Sequence, residues 1–172
     1  MKKVERLKKK RWVSLYVENR IGVLARISGM MSGKSYNIDS ITVGTTEDNT
    51  ISRMTIGLSS DDATFEQIKK QLNRCVEVIK LIDITDAPIH MKEILFVKIS
   101  ECTEFERAEI FRIAQVYGGK IIDYGIDSIL LELVATEGKN NALIKLLSDK
   151  FKHVEVTRGG VVAVESISMV DR

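Results

Sequence analysis

Residues 12–31, WVSLYVENRIGVLARISGMM, change their period halfway through. Val13, Leu15 and Val17 alternate with Ser14, Tyr16 and Glu18, the two-residue repeat of a strand with one buried face. Beyond Gly22 the apolar positions fall at Leu24, Ile27 and Met31, three and four residues apart, up to a stop at Gly33. An amphipathic helix is therefore predicted directly behind the strand, entered near Asn19–Gly22.

Working outward, Ile38–Val43 and Ile51–Leu58 are two further strand patterns separated by the polar turn Thr46–Asn49, which predicts a hairpin. Phe65, Ile68, Leu72 and Cys75 mark one face of a second helix, introduced by Asp61 and Asp62 at the positive end of its dipole. Val78–Ile84 closes the unit as a strand. The order is β-α-β-β-α-β, and after the only proline, Pro88, it recurs at an offset of roughly 80 residues. Leu95, Val97 and Ile99 alternate, Ile110, Ile113, Ala114 and Tyr117 form a helical stripe ending at Gly118 and Gly119, and Ile121–Ile126 and Ile129–Val134 are strands joined at Asp127–Ser128. Leu143, Leu146, Leu147 and Phe151 supply the fourth helix, and Val154–Val156 and Val161–Val164 end the chain in extended sequence around Gly159–Gly160.

The fold class predicted is α+β, two ferredoxin-like βαββαβ modules in tandem, each an antiparallel sheet with two helices on one face. The boundaries are a basic leader at 1–11, a first module at 12–86, a linker at 87–92 and a second module at 93–172. Each sheet keeps a bare face and open edges, which a second copy of the chain covers most economically, so a homodimer is expected.

Composition excludes several classes of function. A net charge of +2 on 172 residues is too even to call for a nucleic-acid or membrane partner. The cluster Lys2, Lys3, Arg6, Lys8, Lys9, Lys10 and Arg11 would serve as a nucleic-acid arm or as a solvated leader, and the second reading is preferred. Cys75 and Cys102 lie in different modules without metal-ligand or redox spacing, and are read as reduced thiols. No apolar run approaches a membrane span and no signal-peptide core follows the lysines, so the default location is cytoplasmic. His90, placed in the linker, and His153 have no nucleophile or ligand set around them, and the glycines form neither GxGxxG nor GxxxxGK[ST]. Neither catalysis nor a bound metal or cofactor is expected in this chain.

Two segments carry chemistry. At Glu18–Leu24 a glycine would let a ligand approach the unpartnered amides of a helix start, where amides and dipole favour a carboxylate; the same glycine would also serve a plain tight turn. At Tyr36–Ser40, Asn37 offers a donor and an acceptor to a free amino acid, with Leu24 and Ile38 as apolar neighbours, or else it is a turn asparagine.

The stretch ENRIGVLARISGMMSGKSYNIDSITVGTTEDNTISRMTI at 18–56 resembles the ACT-domain core of the small, regulatory subunits of acetolactate synthase. EQIKKQLNRCVEVIKL, EILFVKIS, GGKIIDYG and VEVTRGGVVAVES continue the resemblance over nearly all the chain from Trp12. It implies that the first module is an ACT domain and that the chain is non-catalytic. It further implies binding to a large catalytic subunit that carries thiamine diphosphate, magnesium and FAD, with activation of that subunit and feedback inhibition by valine or another branched-chain amino acid. The family's effector site, at the interface of two ACT modules, maps onto Asn19, Gly22 and Asn37 here, with Val23, Leu24 and Ile38 beside them. Ala25 stands where relatives often have serine.

The second module places Glu104 and Glu106 where the first has its glycine turn, which would repel a ligand carboxylate. Effector binding is therefore expected in the first module alone, and the second is assigned to assembly and to contact with the catalytic subunit. The alternative is a stand-alone amino-acid-sensing ACT module acting in transcription or signalling.

Overall fold

A computed structural model describes residues 8–33 and 36–167. Six elements build the first sheet and its helices: β1 (Lys9–Glu18), α1 (Val23–Gly33), β2 (Ile38–Thr45), β3 (Ile51–Ser60), α2 (Asp62–Leu72) and β4 (Val78–Asp83). The strands lie in the order β2-β3-β1-β4, each antiparallel to its neighbour. β1 and β2 thus run parallel on either side of β3, and α1 is the crossover between them. Alternation sends Val13, Leu15 and Val17 to one face, where they meet Ile27 and Met31 of α1 and Phe65, Ile68 and Leu72 of α2 in a single core.

The second set repeats the plan: β5 (Ile89–Ser100), α3 (Glu104–Tyr117), β6 (Lys120–Tyr124), β7 (Ile129–Ala135), α4 (Glu137–Lys150) and β8 (His153–Arg158), in the sheet order β6-β7-β5-β8. Leu95, Val97 and Ile99 pack with Ile110, Leu131, Leu143 and Leu147 in its own core. Glu93 is buried there beside Arg158 and accepts from Asn140 Nδ2 at 2.9 Å, so its charge is paired and hydrogen-bonded. The predicted pair of βαββαβ modules is thus the observed architecture.

The boundaries differ from expectation in three places. β1 begins at Lys9, opposite Ser60, so Lys9–Arg11 are strand and not leader; the part of the leader at 1–7 lies outside the described residues. Arg11 is buried: its guanidinium pairs with Asp62 and sits 5.3 Å from the Phe65 ring centroid, partners that lie in α2 and leave no local trace in a run of lysines. The linker is shorter than 87–92, because β5 starts at Ile89 and takes His90 into a strand. A short final strand, β9 (Val162–Glu165), pairs with β5, and the Ser166 amide donates to the Pro88 carbonyl at 2.9 Å. Among the described residues the compact units are Met91–Val162 and, as the other, those up to His90 together with those from Ala163.

On the face of the first sheet away from its helices, Trp12 lies flat across Gly57, its cross-strand partner. A Cβ at 57 would overlap the indole ring, and Trp12 is only 7% exposed, so the ring has nowhere to retreat. Gly57→Ala is expected to lower the unfolding free energy by about 1–3 kcal/mol, the ordinary cost of overpacking, read from urea denaturation of the full chain. An unchanged midpoint would show that the indole moves freely.

Candidate functional site

β1 ends where its partners do. The Asn19 amide donates to the Thr50 carbonyl at 2.7 Å, and Asn19 Nδ2 donates to the Asn49 carbonyl at 2.8 Å, so the asparagine clasps the tip of the β2–β3 hairpin. That tip is itself ordered by Asp48, whose carboxylate accepts from the Thr50 amide at 2.8 Å and hydroxyl at 2.6 Å, bonds that hold its pKa below the usual aspartate value. Gly22 follows with φ of +90°, the left-handed region that an L side chain rarely enters, and the space around its α-carbon is open. Conformation, not crowding, is what calls for glycine here.

The helix start behind Gly22 is bare. Among the described residues nothing accepts from the amides of Leu24 or Ala25, and the first turn of α1 carries no acidic residue. Two unpaired N–H groups at the positive end of a helix dipole form a seat for an anion. The equivalent seat in the second module is filled by the chain itself. Glu101 takes the positive φ there, at 57°, and Thr103 and Glu106 form a capping box: Thr103 Oγ1 accepts from the Glu106 amide at 3.2 Å while the Thr103 amide donates to Glu106 Oε2 at 2.8 Å. The bonds from Thr103 hold the Glu106 carboxyl below its ordinary pKa.

Side chains sort the expected site residues. Asn19, Gly22 and Leu24 stand together at one end of the first sheet, and Leu24 is 47% exposed. Val23 is 6% exposed and packs in the core, so its side chain points away from the turn, and its amide donates to the Arg20 carbonyl at 3.4 Å. Asn37 and Ile38 lie at the other end. Ile38 faces Leu58, which faces Arg11, whereas the glycine turn follows Glu18, opposite Ile51. Arg11 to Glu18 is seven residues of strand, roughly 23 Å at about 3.3 Å per residue. One copy of the module therefore does not bring Asn37 to the glycine turn. Ile38 is half-buried against the core, and exposed Asn37 borders a cavity of about 280 Å³ with Tyr36, Leu58, Ser60, Asp61 and Ile68.

Sequence reasoning missed Asp39 and Ser59. Asn37 Nδ2 donates to Asp39 Oδ1 at 3.0 Å and Ser59 Oγ donates to Asp39 Oδ2 at 2.7 Å. Serine and aspartate near a strand start have many uses, and no local signal singles these out. Elsewhere, burial pushes both the Cys75 and Cys102 thiols up, away from thiolate reactivity at neutral pH. Among the described residues no group of three or more His, Cys, Asp or Glu side chains could hold a metal ion, and no helix is long and apolar enough to cross a membrane.

Two family models match the chain. Residues 13–80 match the family model described as the AHAS small subunit-like ACT domain, and residues 92–167 match the one described as the small subunit of acetolactate synthase. The acetolactate synthase small subunit of Aquifex aeolicus is 38% identical over 156 residues, 91% of this chain and 81% of that one. The isozyme 3 small subunit of Escherichia coli is 37% identical over 155 residues, covering 90% of this chain and 94% of its own. The crystal structure of the Thermotoga maritima small subunit superposes with a TM-score of 0.83 at 34% identity, over 92% of this chain and 98% of that one.

The two helix starts differ in a way that stability measurements resolve. Thr103→Ala is expected to cost about 1 kcal/mol of unfolding free energy, as removal of an N-cap does. Because Glu106 has a depressed folded-state pKa, its stabilisation is present in full above the ordinary glutamate value of 4.5 and is lost as pH falls through the lower folded value. The stability gap between the unmodified chain and Glu106→Ala should therefore close in acid; a gap independent of pH would remove the carboxylate from the cap.

Proposed function

The chain belongs to the family of acetolactate synthase small subunits, and on that footing we propose that it regulates a separate large catalytic subunit in response to a branched-chain amino acid, valine foremost. Catalysis belongs to the large subunit, which carries thiamine diphosphate, magnesium and FAD. This chain contributes activation and feedback inhibition. It acts as a homodimer in the cytoplasm, and the effector lies where two ACT modules meet.

The observation that carries the reading is the bare start of α1 behind Gly22, taken with the placement of Asn37 at the far end of the same sheet. β2 is an edge strand, with Val43 exposed on it. If two copies pair through β2 about a two-fold axis placed beside the middle of that strand, the strands run antiparallel and residue 38 of one copy comes level with residue 45 of the other. Thr45 faces Ser52, and Ser52 faces Val17, one residue from the end of β1. Asn37 of one copy is thereby carried to the end of the sheet where the other copy has its glycine turn. A dimer holds two such sites, each with a carboxylate seat from one chain and an amide from the other.

A ligand that bridges the two chains stabilises one arrangement of the dimer, and the catalytic subunit prefers another. Effector and partner then oppose each other through a coupling of about 1–3 kcal/mol, a 5- to 150-fold change in affinity. The second module fills its own helix start with Glu106, so it binds no effector there and is free for assembly and contact with the large subunit.

The test mixes the chain with a purified large subunit and follows acetolactate formation from pyruvate. Activity should rise on mixing and fall again with valine. Gly22→Asp puts a negative charge into the carboxylate seat and is expected to weaken valine binding by at least about tenfold in calorimetry. Unchanged binding in that variant would take the glycine turn out of the site, and absence of activation would sink the regulatory reading.

A further inference from the structure

Asn37 enters β2 with its amide held in one orientation. An ionised carboxylate only accepts hydrogen bonds, so the bond from Asn37 Nδ2 to Asp39 Oδ1 turns the amide nitrogen towards Asp39 and leaves the amide oxygen facing away. Asp39 is held in turn by the Ser59 hydroxyl, which occupies its other oxygen. The backbone is arranged for this contact. Ile38 faces Leu58 and Ser40 faces Gly57, so Asp39 is the extra residue of a β-bulge, the device by which a strand re-aims one side chain. Asn37, Asp39 and Ser59 are all exposed, where a hydrogen bond adds little to folding. Its effect is on which atom of Asn37 a visitor meets.

We propose that Asp39 is a positioning residue that makes Asn37 present its amide oxygen, and that this selects a ligand bearing an ammonium group over one bearing only acceptors. The inference rests on the reading above, in which Asn37 faces the glycine turn of a second copy. The seat on α1 supplies donors for a carboxylate, and Asn37 supplies an acceptor at the other end. An α-amino acid satisfies both ends. A 2-oxo acid of the same shape places a carbonyl oxygen against the amide oxygen, and two acceptors that face each other leave both unpaired. The site thereby separates an amino acid from the oxo acids among which an enzyme consuming pyruvate works.

The experiment compares binding of valine and of 3-methyl-2-oxobutanoate, the oxo acid of identical carbon skeleton, to the full-length chain and to two variants. Asp39→Ala frees the amide to rotate. The preference for valine over the oxo acid should fall by about tenfold or more, with oxo-acid binding growing tighter in absolute terms. Asp39→Asn offers a donor as well as an acceptor, so it no longer dictates which end of the Asn37 amide turns away, and the preference should fall there too. A merely structural role would weaken both ligands together and leave their ratio alone, which overturns the proposal. Retention of the full preference in Asp39→Asn would also overturn it, because a side chain that can donate as well as accept does not fix the Asn37 amide. If the unmodified chain binds no valine, the effector reading beneath the proposal fails first, and that outcome is visible before any variant is made.

Discussion

β1 is held on both sides, by β3 along its whole length and by β4 along its second half, and that double register sets where every group of the candidate site can be. A strand anchored by ten consecutive cross-strand pairs cannot slide without turning Val13, Leu15 and Val17 out of the core. The end of β1 is therefore fixed, and with it the place where the chain leaves the sheet at Glu18. The hairpin tip clasped by Asn19 is fixed by the same ladder, since β3 begins opposite that end. The helix start is open because the turn before it uses a glycine at positive φ and supplies no capping side chain. Position and vacancy thus have separate causes, one in the sheet and one in four residues of loop.

The two modules make this separation visible. They share strand order, helix placement and a core of the same design, yet one helix start is open and the other is closed by Thr103 and Glu106. Duplication of a fold does not duplicate a site, because the site lies in the connection and not in the layers. The capped start adds stability that the open one forgoes.

Much of the architecture was legible because it is written locally. Alternation marks β1, β3, β5 and β7, the three- and four-residue stripes mark the helices, and Gly22 marks the start of α1, whereas the Thr103–Glu106 cap shows in the sequence only as a pair of acids near the start of α3. What was not legible depends on partners far along the chain. Arg11 ends a run of lysines, and only its contact with Asp62 and Phe65 makes it part of a strand. Val23 sits next to exposed Leu24, and the phase of α1 decides which of the two enters the core. The bulge at Asp39 needs β3 in register to exist at all, so the Asn37–Asp39–Ser59 chain has no trace in the order of residues. The return of the chain to β9 follows two glycines that serve equally well in any loop.

Trp12 is the sole tryptophan of the chain, and it lies buried against Gly57 in the first sheet. The second module contributes no indole to the emission spectrum. Fluorescence excited at the red edge of indole absorption therefore reports on the ACT module alone, while circular dichroism sums over both. The molecule carries its own optical label on one half, and melting curves recorded by the two methods separate the loosening of the first module from that of its neighbour without any added dye.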